Sequence, residues 1–235
     1  MKLQSPPVPN FKWSIVSQLF GFNQQWYYGF GYPGHHGLDI LGEYGSPILA
    51  THDGTIQSIT AQDPSAGNWI LLRSLDGTFS TYYLHLSAFN NISIGQTIKA
   101  GEIIGYMGNT GGVRSSNYNL EHPGTHLHFG VKIHGRKNEY NSYVDPTPML
   151  FREGDRLPYK LVNDLWILSQ GDNVSFLQTC LKLEFPDLPF EPIGYFGNQT
   201  RNAVSRFQAK YLLSPTAGYC GPKTRRVLNQ RYSAY

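Results

Sequence analysis

One stretch, residues 125–133, constrains the fold more than any other part of the chain. Its odd positions are apolar or β-branched, whereas its even positions are His126, His128, Gly130 and Lys132. A period of two is typical of a half-buried strand. The two imidazoles would then share one face, about 6–7 Å apart. They could be solvent-facing residues of an edge strand, or they could act together on a metal ion.

Length and composition limit the possible architectures. With 235 residues, of which 40% are hydrophobic, the chain can form one large domain or two smaller ones. No apolar run approaches the roughly 18 residues of a membrane span. Residues 1–9 lack the apolar core of a signal peptide. We therefore expect no membrane span, and either a removed export signal or another route out of the cell.

Charge and histidine are unevenly distributed. Residues 1–160 carry 11 basic and 11 acidic residues, whereas residues 161–235 carry 8 and 5. This excess is too weak for a nucleic-acid-binding surface, although it is compatible with an anionic polymer. All eight histidines lie between positions 35 and 134. We therefore expect the catalytic or metal-binding residues between positions 35 and 134, and we expect no nucleic-acid partner.

Residues 45–134 predict an antiparallel sheet. Apolar runs flank two Asp-Gly pairs, Asp53-Gly54 and Asp76-Gly77. Such pairs are strong hairpin signals because the turn needs positive φ. The predicted strands are 47–50, 55–59, 69–75, 78–85, 97–98, 103–107 and 125–134. Residues 1–34 show no sustained period and predict an ordered loop that could contain one short strand.

Beyond residue 153 the alternation is replaced by helical spacing, which predicts three helices. The apolar positions are Val174, Leu177, Cys180 and Leu181, then Ala203, Val204, Phe207 and Tyr211, then Val227 and Leu228. Segments 195–201 and 219–225 repeat each other, and each precedes a helix. Cys180 and Cys220 could form a disulfide or stay as buried thiols.

These patterns predict a multidomain protein. A β-rich antiparallel-sheet domain would occupy residues 1–155, with its core at 33–150. A linker at 156–168 would follow, and then a small all-α, three-helix domain at 169–235.

A second group of candidate ligands lies upstream of the histidine pair. His35 and Asp39 are four residues apart, so on an extended segment they point to the same side. With one imidazole of the 126/128 pair they would give three nitrogen or oxygen ligands. Three protein ligands with a fourth position for water are typical of catalytic zinc. Gly37 suits a close approach of the backbone to such a site.

A further histidine could complete this site. His85 ends a predicted strand, within Leu-His-Leu-Ser at 84–87. If it faces the same cavity, two imidazoles there are not needed as metal ligands, namely His85 and one of His126 and His128. These surplus imidazoles could accept a proton from water or stabilise an oxyanion. The sequence contains no His-Glu-x-x-His motif, so a histidine would have to act as the base.

In combination, these motifs resemble one family over roughly residues 33–150. The His35–Asp39 spacing, Leu-His-Leu-Ser, Gly-Asn-Thr-Gly at 108–111 and His-Leu-His-Phe at 126–129 resemble the lysostaphin/LytM-type zinc endopeptidases of bacterial cell walls. The resemblance implies one zinc ion, with His35, Asp39 and His128 as its ligands. It also implies that His85 and His126 are catalytic imidazoles that do not bind the metal.

Three features depart from the family pattern. Residues 112–125 form a longer insertion than we expect, which could line the substrate groove or shield the metal. Gly130 stands where a glutamate is common in the family. The family also tends to place an oxyanion-assisting tyrosine before the His-x-x-x-Asp motif, and both Tyr28 and Tyr32 are candidates.

The C-terminal third carries a second resemblance. Gly-Asp-x-Val-x-x-Leu-Gln at 171–178 and the repeated loop before each helix resemble the three-helix peptidoglycan-binding domain. The two resemblances together imply a peptidoglycan hydrolase, an endopeptidase for stem peptides or cross-bridges, anchored to the wall. We expect a monomer that acts in the extracellular or periplasmic cell wall, either as a secreted bacterial enzyme or as a phage lysin.

Two alternatives remain at this stage. A zinc D-Ala-D-Ala carboxypeptidase can carry a similar binding domain, but its His-to-Asp spacing is longer than that between His35 and Asp39. A catalytically inactive wall-binding or amidase-activating protein usually lacks the ligands that this chain retains. The sequence does not predict which peptide bond is cleaved.

Overall fold

The structure, a computed structural model, describes residues 1–113 and 121–234. These residues form two compact units, Met1–Gln18 with Gly37–Leu150 and Leu19–His36 with Phe151–Tyr235. The predicted combination of an antiparallel-sheet domain and a three-helix region is confirmed. The predicted linker at 156–168 lies within the second unit, and the predicted domain boundaries stay a prediction.

The first unit is built on an eight-stranded antiparallel sheet. Its strands are β1 (Val16–Gln18), β2 (Leu38–Leu41), β4 (Gly54–Asp63), β5 (Gly67–Ser74), β6 (Phe79–Leu86), β8 (Thr97–Ile98), β10 (His126–Ile133) and β11 (Tyr143–Val144). Seven strands follow the order β1-β2-β10-β6-β5-β4-β8, and β11 pairs with β10. A three-stranded sheet contains β3 (Pro47–Leu49), β9 (Ile103–Tyr106) and β7 (Ala88–Phe89). The short helix α2 (Thr147–Leu150) ends this unit.

Strand β10 lies in the interior of the main sheet, between β2 and β6. Its odd positions, Leu127, Phe129 and Val131, are fully buried, as the alternation predicts. His126 and His128 on the other face are only 6% and 5% exposed. The prediction of a half-buried strand was therefore wrong for the residues from His126 to Val131, which are buried on both faces.

The two Asp-Gly pairs have different roles. Gly77 has a φ of +70° and lies in the turn between β5 and β6, so this hairpin is confirmed. The hairpin predicted at Asp53-Gly54 is wrong, because β3 pairs with β9 and Gly54 begins β4. A Cβ on Gly54 would lie 2.4 Å from the carbonyl oxygen of Arg73. Glycine is needed there for close strand packing and not for a turn.

The second unit contains the three predicted helices, α3 (Asp172–Glu184), α4 (Asn198–Lys210) and α5 (Pro222–Tyr232). The segment Leu19–His36, with its short helix α1 (Gln24–Tyr27), belongs to the same unit. Cys180 and Cys220 are buried free thiols and form no disulfide with each other. Among the described residues, no helix combines the length and the apolar character that crossing a bilayer requires.

The repeat in the sequence corresponds to a repeated hydrogen-bonding pattern. The Gln178 side chain donates to the Tyr195 carbonyl oxygen at 3.0 Å and to Thr200 Oγ1 at 2.9 Å, and it accepts from Gly194 N at 3.0 Å. In the second copy the equivalent residues are Gln208, Tyr219, Thr224 and Gly218. One glutamine in each of α3 and α4 therefore fixes the loop that opens the next helix.

Candidate metal centre

The structure brings His35, Asp39 and His128 together. Each offers one ligand atom, and these three atoms lie within 4.8 Å of one another. Antiparallel pairing of β2 and β10 places Asp39 opposite His128, where Asp39 Oδ1 lies 3.1 Å from His128 Nδ1. Two imidazoles and one carboxylate are a donor set that suits zinc. By their chemistry and spacing, these residues fit the metal site that the sequence predicts.

His35 is oriented by the backbone of its own segment. Its ring Nδ1 lies 3.2 Å from the carbonyl oxygen of Leu19. Because a carbonyl oxygen only accepts hydrogen bonds, Nδ1 carries the hydrogen and Nε2 is the basic nitrogen. The His35 backbone also donates to the Phe22 carbonyl at 2.8 Å and accepts from Gly21 N at 2.8 Å. The fully buried ring is thus held in one tautomer and one orientation.

Gly37 lies directly against the candidate ligand His128. A Cβ at position 37 would lie 2.6 Å from His128 Nε2 and 2.6 Å from the carbonyl oxygen of Phe129. Real Cβ atoms do not approach other atoms so closely, so either the imidazole or the strand would have to move. The sequence predicts this close approach correctly.

Two further imidazoles lie beside the candidate ligands, as the sequence predicts. The ring of His85 is 4.8 Å from that of His126 and 6.2 Å from that of His128, centre to centre. His126 Nε2 lies 3.7 Å from Asp39 Oδ1. His85 has a φ of +66°. Such strained backbone in a residue other than glycine is concentrated at functional sites, where the surrounding structure maintains it.

The tautomers of His85 and His126 follow from their hydrogen bonds. His85 Nδ1 lies 2.9 Å from the Thr110 carbonyl oxygen, and His126 Nδ1 lies 2.7 Å from the Gly124 carbonyl oxygen. Each Nδ1 therefore carries a hydrogen, and each Nε2 is the basic nitrogen. Burial, together with His126 and His128, lowers the pKa of His85 to about 3. At neutral pH the His85 imidazole is therefore uncharged.

Thr110 supports this arrangement, a role that sequence reasoning missed. Besides holding His85, Thr110 donates from Oγ1 to the Leu86 carbonyl at 2.8 Å and accepts from Asn68 N at 2.8 Å. A Cβ on Gly67 would lie 2.3 Å from the Thr110 carbonyl oxygen. The available signal was Gly-Asn-Thr-Gly at 108–111, a motif that points to the family but not to this role of the Thr110 carbonyl.

The candidate oxyanion tyrosines lie in the segment before Gly37. Tyr28 is 62% exposed, whereas the Tyr32 ring stacks on His36 at 4.5 Å. Burial raises the pKa of Tyr32. Tyr27, which sequence reasoning did not name, lies 5.3 Å from His35, ring centre to ring centre. The assignment to Tyr28 or Tyr32 stays a prediction.

The predicted insertion at 112–125 is only partly described, because residues 114–120 lie outside the described part of the chain. At its C-terminal end, the His122 ring stacks on Tyr44 at 3.6 Å. Gly130, at the position where a glutamate is common, is buried opposite Tyr82 of β6.

Comparison with known proteins agrees with this geometry. Residues 33–146 match the model of peptidase family M23, and residues 170–228 match that of a peptidoglycan binding domain. The chain therefore contains a domain of peptidase family M23. The M23 domain contains the candidate zinc ligands and both additional imidazoles. The peptidoglycan binding match contains α3, α4 and the first part of α5.

Similar proteins include two peptidases. The chain is 36% identical over 107 residues to glycyl-glycine endopeptidase ALE-1 of Staphylococcus capitis, covering 46% of this chain and 26% of that protein. It is 34% identical over 103 residues to DD-carboxypeptidase/endopeptidase Mpg of Neisseria meningitidis, covering 44% of this chain and 21% of that protein. Each match therefore spans about a quarter or less of the relative. The structure of lysostaphin from Staphylococcus simulans aligns with a TM-score of 0.47 and 26% identity, covering 62% of this chain and 54% of that one.

Proposed function

We propose that this protein is a zinc-dependent endopeptidase that cleaves peptide bonds in the stem peptides or cross-bridges of bacterial peptidoglycan. The observation that carries the proposal is the convergence of His35, Asp39 and His128, with the buried imidazoles of His85 and His126 beside them. We assign the first three residues as ligands of one zinc ion and the other two as catalytic imidazoles.

In this mechanism, zinc held by His35, Asp39 and His128 would supply Lewis acidity at the reacting carbonyl and at the attacking water. The basic Nε2 of His85 or His126 accepts a proton from that water. The imidazole that takes this proton then donates a hydrogen bond from Nε2 to the developing oxyanion. The carbonyl oxygens of Thr110 and Gly124 hold both rings in the required tautomer.

A groove beside His85 could accommodate the substrate. It has a volume of about 740 Å³ and is lined by the ends of β4, β5 and β7 together with Thr110 and Gly111. The groove adjoins His85 through Thr110, whose carbonyl oxygen binds the His85 ring at Nδ1. None of the five proposed ligand and catalytic residues lines it. Its lining includes the Asp63 carboxylate and the Asn68 amide, which are hydrogen-bonded to neighbouring backbone groups.

The three-helix region supports the choice of substrate. Its match to a peptidoglycan binding domain favours a wall anchor that keeps the M23 domain near cross-links. We propose that the protein acts as a monomer on the wall, outside the cytoplasm. The names of its relatives include both glycyl-glycine and DD-peptide activities, so we propose peptidoglycan as the substrate class without assigning the bond.

The test separates cleavage from binding. We expect His128→Ala and His85→Ala each to abolish turbidity clearance of purified cell walls, a loss of at least about 100-fold, because one removes a proposed ligand and the other one of the two proposed catalytic imidazoles. Both variants should still sediment with the walls. His134, a histidine of the same unit that bonds to Ser80 and Gly77, offers a matched control in His134→Ala. Unchanged clearance by both test variants would disprove the assignment.

Mass spectrometry of the released muropeptides distinguishes the alternatives. An endopeptidase converts cross-linked dimers to monomers, whereas a D-Ala-D-Ala carboxypeptidase shortens stem peptides by one alanine. Release of terminal alanine alone would contradict the proposed endopeptidase reaction. Clearance that depends on an added amidase would instead support an activating role.

A further inference from the structure

The segment that carries His35 packs with the helices of the second unit. Leu19–His36 and Phe151–Tyr235 together form this compact unit. The segment is therefore part of the same folded body as α3, although about 150 residues separate Gly21 from Ser175 in the sequence.

Within the segment, three backbone groups determine where His35 lies. The Leu19 carbonyl bonds to the His35 ring at 3.2 Å. Gly21 N donates to the His35 carbonyl at 2.8 Å, and His35 N donates to the Phe22 carbonyl at 2.8 Å. Any displacement of residues 19–22 would therefore move the His35 imidazole as well.

Residues 21–24 are in turn bonded to the first turns of α3. Ser175 Oγ donates to the Gly21 carbonyl oxygen at 2.7 Å. Gln24 Nε2 donates to the same carbonyl oxygen and, at 2.9 Å, to Ser175 Oγ. Asn23 N donates to Asp172 Oδ1 at 2.9 Å. The Ser175 hydroxyl is fully buried, so its hydrogen bonds are shielded from water.

Packing leaves little freedom at this contact. Gly21 has a φ of +81°, and a Cβ there would lie 2.1 Å from the Pro192 carbonyl oxygen. The Phe22 ring contacts Tyr159 at 4.8 Å, and Tyr159 contacts Phe176 of α3 at 6.2 Å, centre to centre. The hydrogen bonds and the aromatic contacts therefore fix the same residues.

We propose that Ser175 is a positioning residue for zinc, acting through Gly21 on the ligand His35. The unit with the three helices would then have a second task besides wall binding, because it positions the proposed ligand His35. This inference rests on the proposed function, since it takes His35 as a zinc ligand. Groups that orient metal ligands typically change metal affinity by 10- to 100-fold when they are removed.

The internal repeat supplies a matched control. Ser175 precedes Gln178 by three residues in α3, and Ser205 precedes Gln208 by three in α4. A Cβ on Gly194 would lie 2.9 Å from Ser175 Oγ, and one on Gly218 would lie 2.9 Å from Ser205 Oγ. The two serines thus have equivalent places in the repeat. Ser175 differs in that its hydroxyl donates to the Gly21 carbonyl oxygen.

The experiment measures the zinc Kd of the full chain by competition with a chromophoric chelator. We expect Ser175→Ala to raise this Kd about tenfold. Ser175→Thr should have a Kd close to that of wild type, because it keeps the hydroxyl. Ser205→Ala should leave the Kd within twofold of wild type. Sedimentation with cell walls should not change in any of them. A zinc Kd that Ser175→Ala leaves unchanged, or that Ser205→Ala raises equally, would overturn the proposal.

Two further variants make the result decisive. Gln24→Ala removes the second donor to the Gly21 carbonyl oxygen, and Gln24 is only half-buried. This variant therefore replaces Ser175→Ala if that one does not fold. We expect Gln24→Ala to raise the zinc Kd severalfold, and an unchanged Kd would count against the proposal. His35→Ala tests the ligand itself. If His35→Ala weakens zinc binding and Ser175→Ala does not, only this inference fails. If His35→Ala has no effect, the proposed function fails.

Discussion

At the scale of single residues, Gly37 restricts the space beside the candidate ligand His128. A methyl group there would lie 2.6 Å from His128 Nε2 and from a strand carbonyl. We expect Gly37→Ala to raise the zinc Kd at least about tenfold, because His128 must move away from its place opposite Asp39. Chelator competition measures the change. A control is Gly29→Ala, whose Cβ would meet no atom within 4 Å. Equal zinc affinity in both variants would contradict this role for Gly37.

Much of the residue set could be predicted from the sequence. The spacing of His35 and Asp39 and the alternation around His126 and His128 depend on local chain geometry, which a sequence displays directly. The role of Thr110 could not be predicted. Its carbonyl reaches His85 from 25 positions away, and a backbone acceptor carries no side-chain signal. The positive φ of His85 is equally invisible, since no glycine marks it.

At the scale of elements, Glu184 joins the C-terminal ends of the three helices. Its carboxylate accepts hydrogen bonds from Lys210, Tyr211 and Tyr232, and Arg231 lies 3.2 Å away. Burial alone raises the pKa of this carboxyl group, but the hydrogen bonds from Lys210, Tyr232 and Tyr211 outweigh burial and lower the pKa from 4.5 to about 2. The charged form of Glu184 therefore stabilises the folded helices.

This depressed pKa fixes the sign of a pH dependence. The stabilisation by Glu184 is fully present above pH 4.5 and is lost as pH falls toward about 2. We expect Glu184→Gln to lower the free energy of unfolding by about 2 kcal/mol at pH 7 and by progressively less below pH 4.5. Urea denaturation across this range measures both effects. As a control, Asp187→Asn removes an exposed ion pair with Arg206 and should change stability far less. A Glu184→Gln effect that does not depend on pH would contradict the stabilising role of the charged Glu184 carboxylate.

The predictions for elements succeeded where the pattern was local. The three helices follow from apolar spacing, and the repeated loops follow from sequence identity between the copies. The prediction of a hairpin at Asp53-Gly54 was wrong because an Asp-Gly pair indicates only that the backbone can form a turn. There, the Asp53 carboxylate binds Ala100 N at 2.9 Å and Lys99 Nζ at 3.1 Å. These partners lie more than 40 residues away, so local pattern could not identify them.

At the scale of the whole molecule, the two compact units do not follow the order of the chain. The unit with the three helices includes Leu19–His36, and thus one proposed zinc ligand. No periodicity in residues 1–34 indicates this association, because it depends on single hydrogen bonds such as that from Ser175 to Gly21. A linear division into a catalytic and a binding domain therefore leaves out this packing.

The proposed function depends on one zinc ion held by His35, Asp39 and His128. The most direct measurement is anomalous X-ray scattering at the zinc edge, from crystals of the full chain grown with zinc. We expect a single strong peak about 2.0–2.2 Å from one nitrogen of each histidine and one Asp39 oxygen. His85 and His126 should lie nearby without binding it. A peak at another place, or no peak between these three side chains, would contradict the proposed metal centre.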